Sequence, residues 1–504
     1  MFDLKSIFKS VRKLFTLKDM GIVTGLSLLF FATRLINLDK FPIFNDEGIY
    51  IHWAKVAWHD SSWRFISLTD GKQPLQTWGT IPFLKLFSTN MVLGGRLFAV
   101  STGFFALIGL FILLYYLFGK KAAFWGALFY ILTPYFIFYD RMALVDSGVN
   151  AFFIWIFLFS ILLVQNLDLA TALLFGLIGG IGLLAKSSVR IFVALAAFAP
   201  ILAYQKHKKS LMWFIANFTF LYLVGAFISF IIYNVQRLSP YFQYVGIKNQ
   251  TFIMTIPEFL KSPFAVFPKN MIDIGTFLLG ESGAVIILLG LIGLFKLFQK
   301  NKTLFGYFFI WILIPTITIA ALSRGLFARY IIFLPTLFVI TAAYWFSQLK
   351  KMSVLYACLL FFLLSVGYFD YTLIADFKNI PFPPVDRGQY IESWPAGWGI
   401  KEIMDFARTK STEKPVIILG EGNFGLVADT LDVYLKKDDR IQIIGYWPLG
   451  DKELFDHQKD LKDNYVYAVF SHRYEFPPNW PIKLIHQYDK PGGKAAIYLY
   501  ELTK

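Results

Sequence analysis

Residues 91–118 read MVLGGRLFAVSTGFFALIGLFILLYYLF, a stretch whose one charged residue is Arg96. A helix rises about 1.5 Å per residue and a bilayer core is about 30 Å thick, so about 20 apolar residues are enough to cross it. This run is long enough to cross. Searching outward for runs of about 17 or more residues with few charges gives eleven candidates. They are 20–37, 91–118, 121–139, 147–164, 170–186, 189–204, 211–233, 277–298, 303–322, 330–346 and 353–370. Lys186 and Arg190 blur the joint between the fifth and sixth.

Composition supports the same class. The 504 residues are 57% hydrophobic and 16% charged, with net charge +15, against about 25% charged in an ordinary soluble protein. Residues 371–504 hold 19 acids and 17 bases, leaving 14 acids against 31 bases in residues 1–370. The basic excess therefore lies between hydrophobic runs instead of on one polar face, which predicts a membrane protein and no nucleic-acid partner. Cys358, the single cysteine, excludes an internal disulfide and a cysteine-based zinc site.

Lys and Arg in alternate short loops set the expected orientation. The basic segment before the first run reads as an uncleaved signal-anchor with a cytoplasmic N-terminus. Lys120 and Lys121, Lys206, Lys208 and Lys209, Lys300 and Lys302, and Lys350 and Lys351 then fall inside. The long hydrophilic stretches, 38–90, 234–276 and everything after 370, fall outside. In the first outer loop (38–90), aromatic and polar residues alternate at helical spacing. This predicts interfacial helices with Trp53, Trp58, Trp63 and Trp78 at headgroup depth. After the Pro-rich linker NIPFPPVDRG (379–388), a helix near 398–409, the strand PVIIL, a helix FGLVADTLDVYL and strands IQIIGYW, YVYAVFS and AAIYLYEL follow. The expected architecture is a polytopic α-helical membrane protein, residues 1–370 with about 11 transmembrane helices. A soluble extracytoplasmic α/β domain, residues 371–504, completes it.

Ionisable residues at membrane boundaries cost several kcal/mol unless paired or hydrated, so they are functional candidates. Asp46, Glu47, Asp140 and Asp146 all fall near expected outer span ends, beside Arg96, Arg141, Lys186, Arg190, Arg324 and Arg329. The inside loops between spans offer only Asp168. Carboxylates facing cations suit proton removal from a hydroxyl while a phosphate leaving group is stabilised. The bland alternatives stay open: Asn45 or Asp46 caps a helix and Glu47 favours its dipole, and Asp146 caps the fourth span.

Six short motifs stand in the order and on the side expected of the GT-C membrane glycosyltransferases. These are NDEGIY (45–50), DGKQPLQTW (70–78), GGRLFAV (94–100), LTPYFIFYDRMALVDSG (132–148), GLLAKSS (182–188) and RYIIFLP (329–335). The chain resembles the branch that holds protein O-mannosyltransferases and bacterial aminoarabinose transferases. The resemblance implies sugar transfer from a polyprenyl-phosphate carrier to an acceptor hydroxyl or amine outside the cytoplasmic membrane, with inversion. The acceptor class, protein, lipid or glycan, stays open. It implies Asp46 as general base supported by Glu47, and Asp146 as a second acid that orients the acceptor. Lys72 resembles the family's Lys-Pro pair, although Gln73 intervenes. Arg141, Lys186 and Arg329 would hold the donor phosphate, with Arg324 a further candidate. No cofactor is required; a divalent cation, if used, would sit on Asp46 and Asp146.

A transporter or flippase of a lipid-linked anion is the main rival, but it should show related halves and charges at mid-span, and neither is evident. Gly420, Gly422 and Gly425 form a G-x-G-x-x-G, with Asp438 and Asp439 at a ribose-like distance. A tight turn is the reading preferred here. Gly176, Gly179, Gly180 and Gly182 predict close helix contact. QKHKK (205–209) reads as a topology signal with contact to anionic membrane lipids.

Overall fold

The computed structural model describes residues 16–204, 210–422, 424–493 and 495–504. The expected signal-anchor segment before the first helix and the QKHKK segment therefore lie outside the described residues.

All eleven apolar runs are helical. Among the described residues, five helices are long and apolar enough to cross a membrane, or up to seven if each of two bent pairs counts as one span. Leu169–Ala185 and Val189–Leu202 are apolar but shorter. This is a multi-pass membrane protein. Its lipid-facing surface is evident on Leu211–Asn234 and Met352–Ala375, where Phe220, Phe227, Phe361 and Leu364 are exposed.

Two expected spans are broken. Lys120–Leu132 and Pro134–Asp140 meet at 66°, because Pro134 has no N–H to continue the first helix. The single span expected at 277–298 is two helices, Phe267–Ser282 and Ala284–Lys300, meeting at 108°. Gly283, at φ +83°, makes that turn. The last apolar helix runs to Ala375, past the expected boundary at 370, because Thr372–Ala375 continues its apolar pattern.

Beyond it lies one five-stranded mixed sheet. β1 (Val416–Glu421) pairs in parallel with β2 (Ile441–Tyr446) and β3 (Tyr465–Phe470). β4 (Ile482–Asp489) pairs antiparallel with β5 (Ala496–Leu502), which pairs antiparallel with β3. The order is β2-β1-β3-β5-β4. β4 was not expected: Lys483, His486 and Gln487 mask it, and as an edge strand it stays largely exposed. The helix expected over 424–435 is only Ala428–Tyr434.

The Pro-rich segment is more than a linker. Residues Pro384–Arg387 are helical, and Phe382, Tyr390 and Ile391 belong to the same buried core as the apolar helices. The first-loop helices, Asn45–His59 and Leu75–Leu86, differ from the interfacial expectation for the same reason. Trp53 is buried, and Ile43, Ile51 and Ala54 share a core with Ile400, Val427 and Leu431. The C-terminal region thus sits on the first loop. It takes up part of the apolar surface that the sequence alone assigns to lipid, while Trp63 stays exposed and Trp78 packs on Phe65 and Leu68.

Candidate active site

The Asn45–His59 helix begins at Phe44, whose N–H donates to Glu47 Oε2 at 3.0 Å. Glu47 thereby performs the N-terminal capping that the sequence offered to Asn45 or Asp46. Asn45 and Asp46 are left to point elsewhere. Asn45 Oδ1 accepts the Leu426 N–H from the glycine-rich loop. Asp46 faces a cavity of about 1000 Å³, also lined by Tyr50, Lys72, Asp146, Lys186, Arg329 and Tyr330.

Two cations converge on Asp46. Lys72 Nζ lies 3.1 Å from Oδ1 and Arg329 Nη1 lies 2.9 Å from Oδ2. Burial alone would raise the Asp46 pKa, but the charges and hydrogen bonds of Lys72 and Arg329 outweigh it and hold the carboxyl far below the usual range. Lys72 also lies over the Tyr50 and Trp53 rings and 3.6 Å from Asp70, which bonds Lys248 at 2.6 Å. Gly71, at φ +66°, brings this loop against the Gln243–Phe252 helix, where a Cβ would meet the Tyr244 carbonyl. The result is an alternating row of charge, Lys248, Asp70, Lys72, Asp46 and Arg329.

In the same cavity, Asp146 opens the Asp146–Asn166 helix and accepts from Lys186 Nζ at 2.7 Å. Lys186 is the C-cap of Leu169–Ala185, in extended backbone, and lies over the Tyr330 ring. Gln73, the residue that interrupts the Lys-Pro pair, bonds Ser187 beside Lys186. Arg329 keeps a buried Nε without a hydrogen-bond partner among the described residues. The cavity lining also includes apolar Phe192, Ile319, Leu322 and Phe333.

The remaining candidates lie elsewhere. Glu47 is fully buried in a two-pronged bond with Arg96, 2.8 Å at each contact, and also accepts Ala143 N–H. It does not line the cavity, and its place is in the buried framework of the fold. Arg141 donates to the carbonyls of Thr33, Arg34, Ile36 and Asn37, closing the C-terminus of the Leu17–Leu35 helix. Both of its terminal nitrogens are committed to these carbonyls. Arg324 pairs with Glu258 and is half exposed, outside the cavity. Asp140, similarly, is sealed against Arg34 at 3.1 Å. Asp70 and Lys248 were missed. Asp70 stands in the quoted DGKQPLQTW, but Lys248 carries no local signal.

Among the described residues no group of three His, Cys, Asp or Glu comes together for a metal. Asp46 and Asp146, the carboxylates a divalent ion would use, each already face a cation. The donor set suits an anion better.

No protein-family model matches the chain, and no curated protein matches it. Solved structures do. ArnT from Cupriavidus metallidurans in the apo state superposes with a TM-score of 0.59 at 14% identity, covering 95% of this chain and 97% of that one. The chain shares the fold of ArnT. ArnT bound to undecaprenyl phosphate gives 0.56 at 15% identity over the same shares. The Archaeoglobus fulgidus oligosaccharyltransferase AglB, in complex with an inhibitory peptide and a dolichol-phosphate, gives 0.51 at 12% identity. It covers 90% of this chain and 69% of AglB. The ArnT-like fold therefore extends through the C-terminal sheet as well as the helices.

Proposed function

We propose that this protein transfers a sugar from a polyprenyl-phosphate donor to an acceptor hydroxyl or amine on the outer face of the cytoplasmic membrane. The observation that carries the reading is the convergence of Lys72 and Arg329 on Asp46, in a cavity also lined by Lys186 and Asp146. Neighbours of the same fold hold undecaprenyl phosphate or dolichol-phosphate.

The donor phosphate and the Asp46 carboxylate are both anions competing for the same two cations. When phosphate takes Lys72 and Arg329, Asp46 loses the charges that depress its pKa and becomes a better base. The site is thus armed by its donor. Asp46 then removes the acceptor proton as the acceptor oxygen or nitrogen attacks the anomeric carbon. The bond from that carbon to the phosphate oxygen breaks, and Lys72, Lys186 and Arg329 stabilise the charge that develops there, about 3 kcal/mol for each well-placed donor. One displacement inverts the anomeric centre. Asp146, held by Lys186, orients the acceptor.

Purified protein should release polyprenyl phosphate from a synthetic undecaprenyl-phosphate sugar and transfer the sugar to envelope material. A protein that binds the donor but never cleaves it, with or without acceptor, would refute the reaction.

A further inference from the structure

The cavity does not end at the helix bundle. Its rim includes Ser393, Trp394 and Pro395, and the Lys490 ammonium fixes that rim by donating to the Ser393 carbonyl at 3.1 Å and the Trp394 carbonyl at 2.9 Å. Trp394 in turn lies against His472, centroids 4.5 Å apart, and His472 meets Trp447 at 5.6 Å. The outer two rings are open, Trp394 40% exposed and Trp447 64%.

This row of rings follows the C-terminal ends of the parallel strands. Trp447 follows β2, and His472 comes two residues after β3. From β1 the chain crosses to β2 on one side, and from β3 it leaves toward β5 and β4 on the other. The carboxyl ends of such neighbouring strands form the crevice where open α/β sheets bind ligands. Polar groups line it. Glu421, the last residue of β1, accepts the Ser471 and His472 N–H groups at 2.9 and 2.7 Å. Arg473 stands 4.0 Å from its other oxygen.

We propose that this crevice is the outer subsite for the acceptor, and that the acceptor is a carbohydrate chain. This rests on the transfer reading above. Pyranose rings present flat C–H faces to aromatic rings and hydroxyls to their edges, which fits exposed Trp394 and Trp447 beside Glu421, His472 and Arg473. A chain laid on Trp447 and Trp394 leads directly into the cavity that Asp46 faces. A peptide would dock better along a free strand edge, but the edges here are β2 and β4, and the row of rings that leads to Trp394 follows strand ends instead. A membrane contact would call for a basic collar, whereas Arg473 faces Glu421.

The test uses the full chain in zwitterionic nanodiscs, titrated with mannotetraose, chitotetraose, a Ser/Thr-rich peptide and phosphatidylglycerol vesicles. At least one oligosaccharide should bind, Trp447→Ala should weaken it about tenfold, and Trp447→Phe should retain most of the affinity. Undecaprenyl phosphate binding should be unchanged in both variants. The proposal falls if neither oligosaccharide binds, if Trp447→Ala binds as wild type does, or if peptide or vesicle binding is what Trp447→Ala removes. Wild-type protein that ignores undecaprenyl phosphate would instead overturn the transfer reading itself.

Discussion

Arg329 donates to Asp46 across 2.9 Å although 283 residues separate them in the chain. Arg329 stands in the Ala328–Ile331 turn that leads into the Phe333–Gln348 helix, and Asp46 in the first turn of the Asn45–His59 helix. Their contact closes one wall of the cavity. It ties the charge that would hold a phosphate to the carboxylate that would take a proton.

Replacing Asp46 by Asn keeps the side-chain volume and removes the base. Transfer should fall by about 10²- to 10⁴-fold. Undecaprenyl phosphate binding should hold or tighten, because Lys72 and Arg329 lose their internal competitor. Single-turnover kinetics with separate donor titrations would check this, and an Asp46→Asn protein of normal rate would remove Asp46 from the chemistry.

Arg324 and Arg329 lie five positions apart and separate cleanly in role. Arg329→Ala should weaken donor binding or slow cleavage by about tenfold or more. Arg324→Ala, which loses only an exposed pair with Glu258, should leave both near wild type. Equal effects in the two variants would contradict the assignment.

Glu47 and Arg96 form a fully buried pair. Glu47→Ala leaves Arg96 buried without its partner and should destabilise the protein by about 3–5 kcal/mol. Thermal unfolding in detergent would report it. Unchanged stability with lost transfer would return Glu47 to the catalytic group.

His52 bonds Asp432 at 2.7 Å, and Lys55 reaches the same carboxylate, clamping the Ala428–Tyr434 helix onto the Asn45–His59 helix. Burial alone would lower the His52 pKa, but the Asp432 hydrogen bond and the Asp429 and Asp432 charges raise it above 6.5. The imidazolium contribution is therefore complete below pH 6.5 and is lost as pH rises through the raised value. Hydrogen exchange in 428–434, corrected for intrinsic rates, should accelerate between pH 6 and pH 9. His52→Asn should flatten that dependence; a pH-dependence that survives the substitution points to another group.

Gly425 sits at φ +88°, and a Cβ there would lie 2.7 Å from Asn45 Oδ1. Gly425→Val should loosen the glycine-rich loop from the start of the Asp46 helix and lower transfer, with undecaprenyl phosphate affinity less affected. Limited proteolysis within 422–427 would show the release, and an intact loop with full activity would dissociate the two.

How much was legible depended on whether a signal was local. NDEGIY, GLLAKSS and RYIIFLP drew attention to Asp46, Lys186 and Arg329 because charge beside an apolar run is conspicuous in one dimension. The G-x-G-x-x-G was legible as a pattern, but the reason for Gly425 was not, since it lies in Asn45, 380 positions away along the chain. Arg141 looked the equal of Arg329 in sequence. Only the fold gives one guanidinium to helix carbonyls and the other to a cavity.

Hydropathy alone determined that the chain crosses a membrane many times and carries a strand-rich C-terminal region, because burial of apolar helices depends on composition over about 20 residues. Which charges share a cavity, which are sealed in buried pairs, and that the Ala428–Tyr434 helix of the C-terminal region packs on the first loop were decided by tertiary structure. Pairing energy falls off within a few ångströms, and those distances are set by packing between residues remote in sequence.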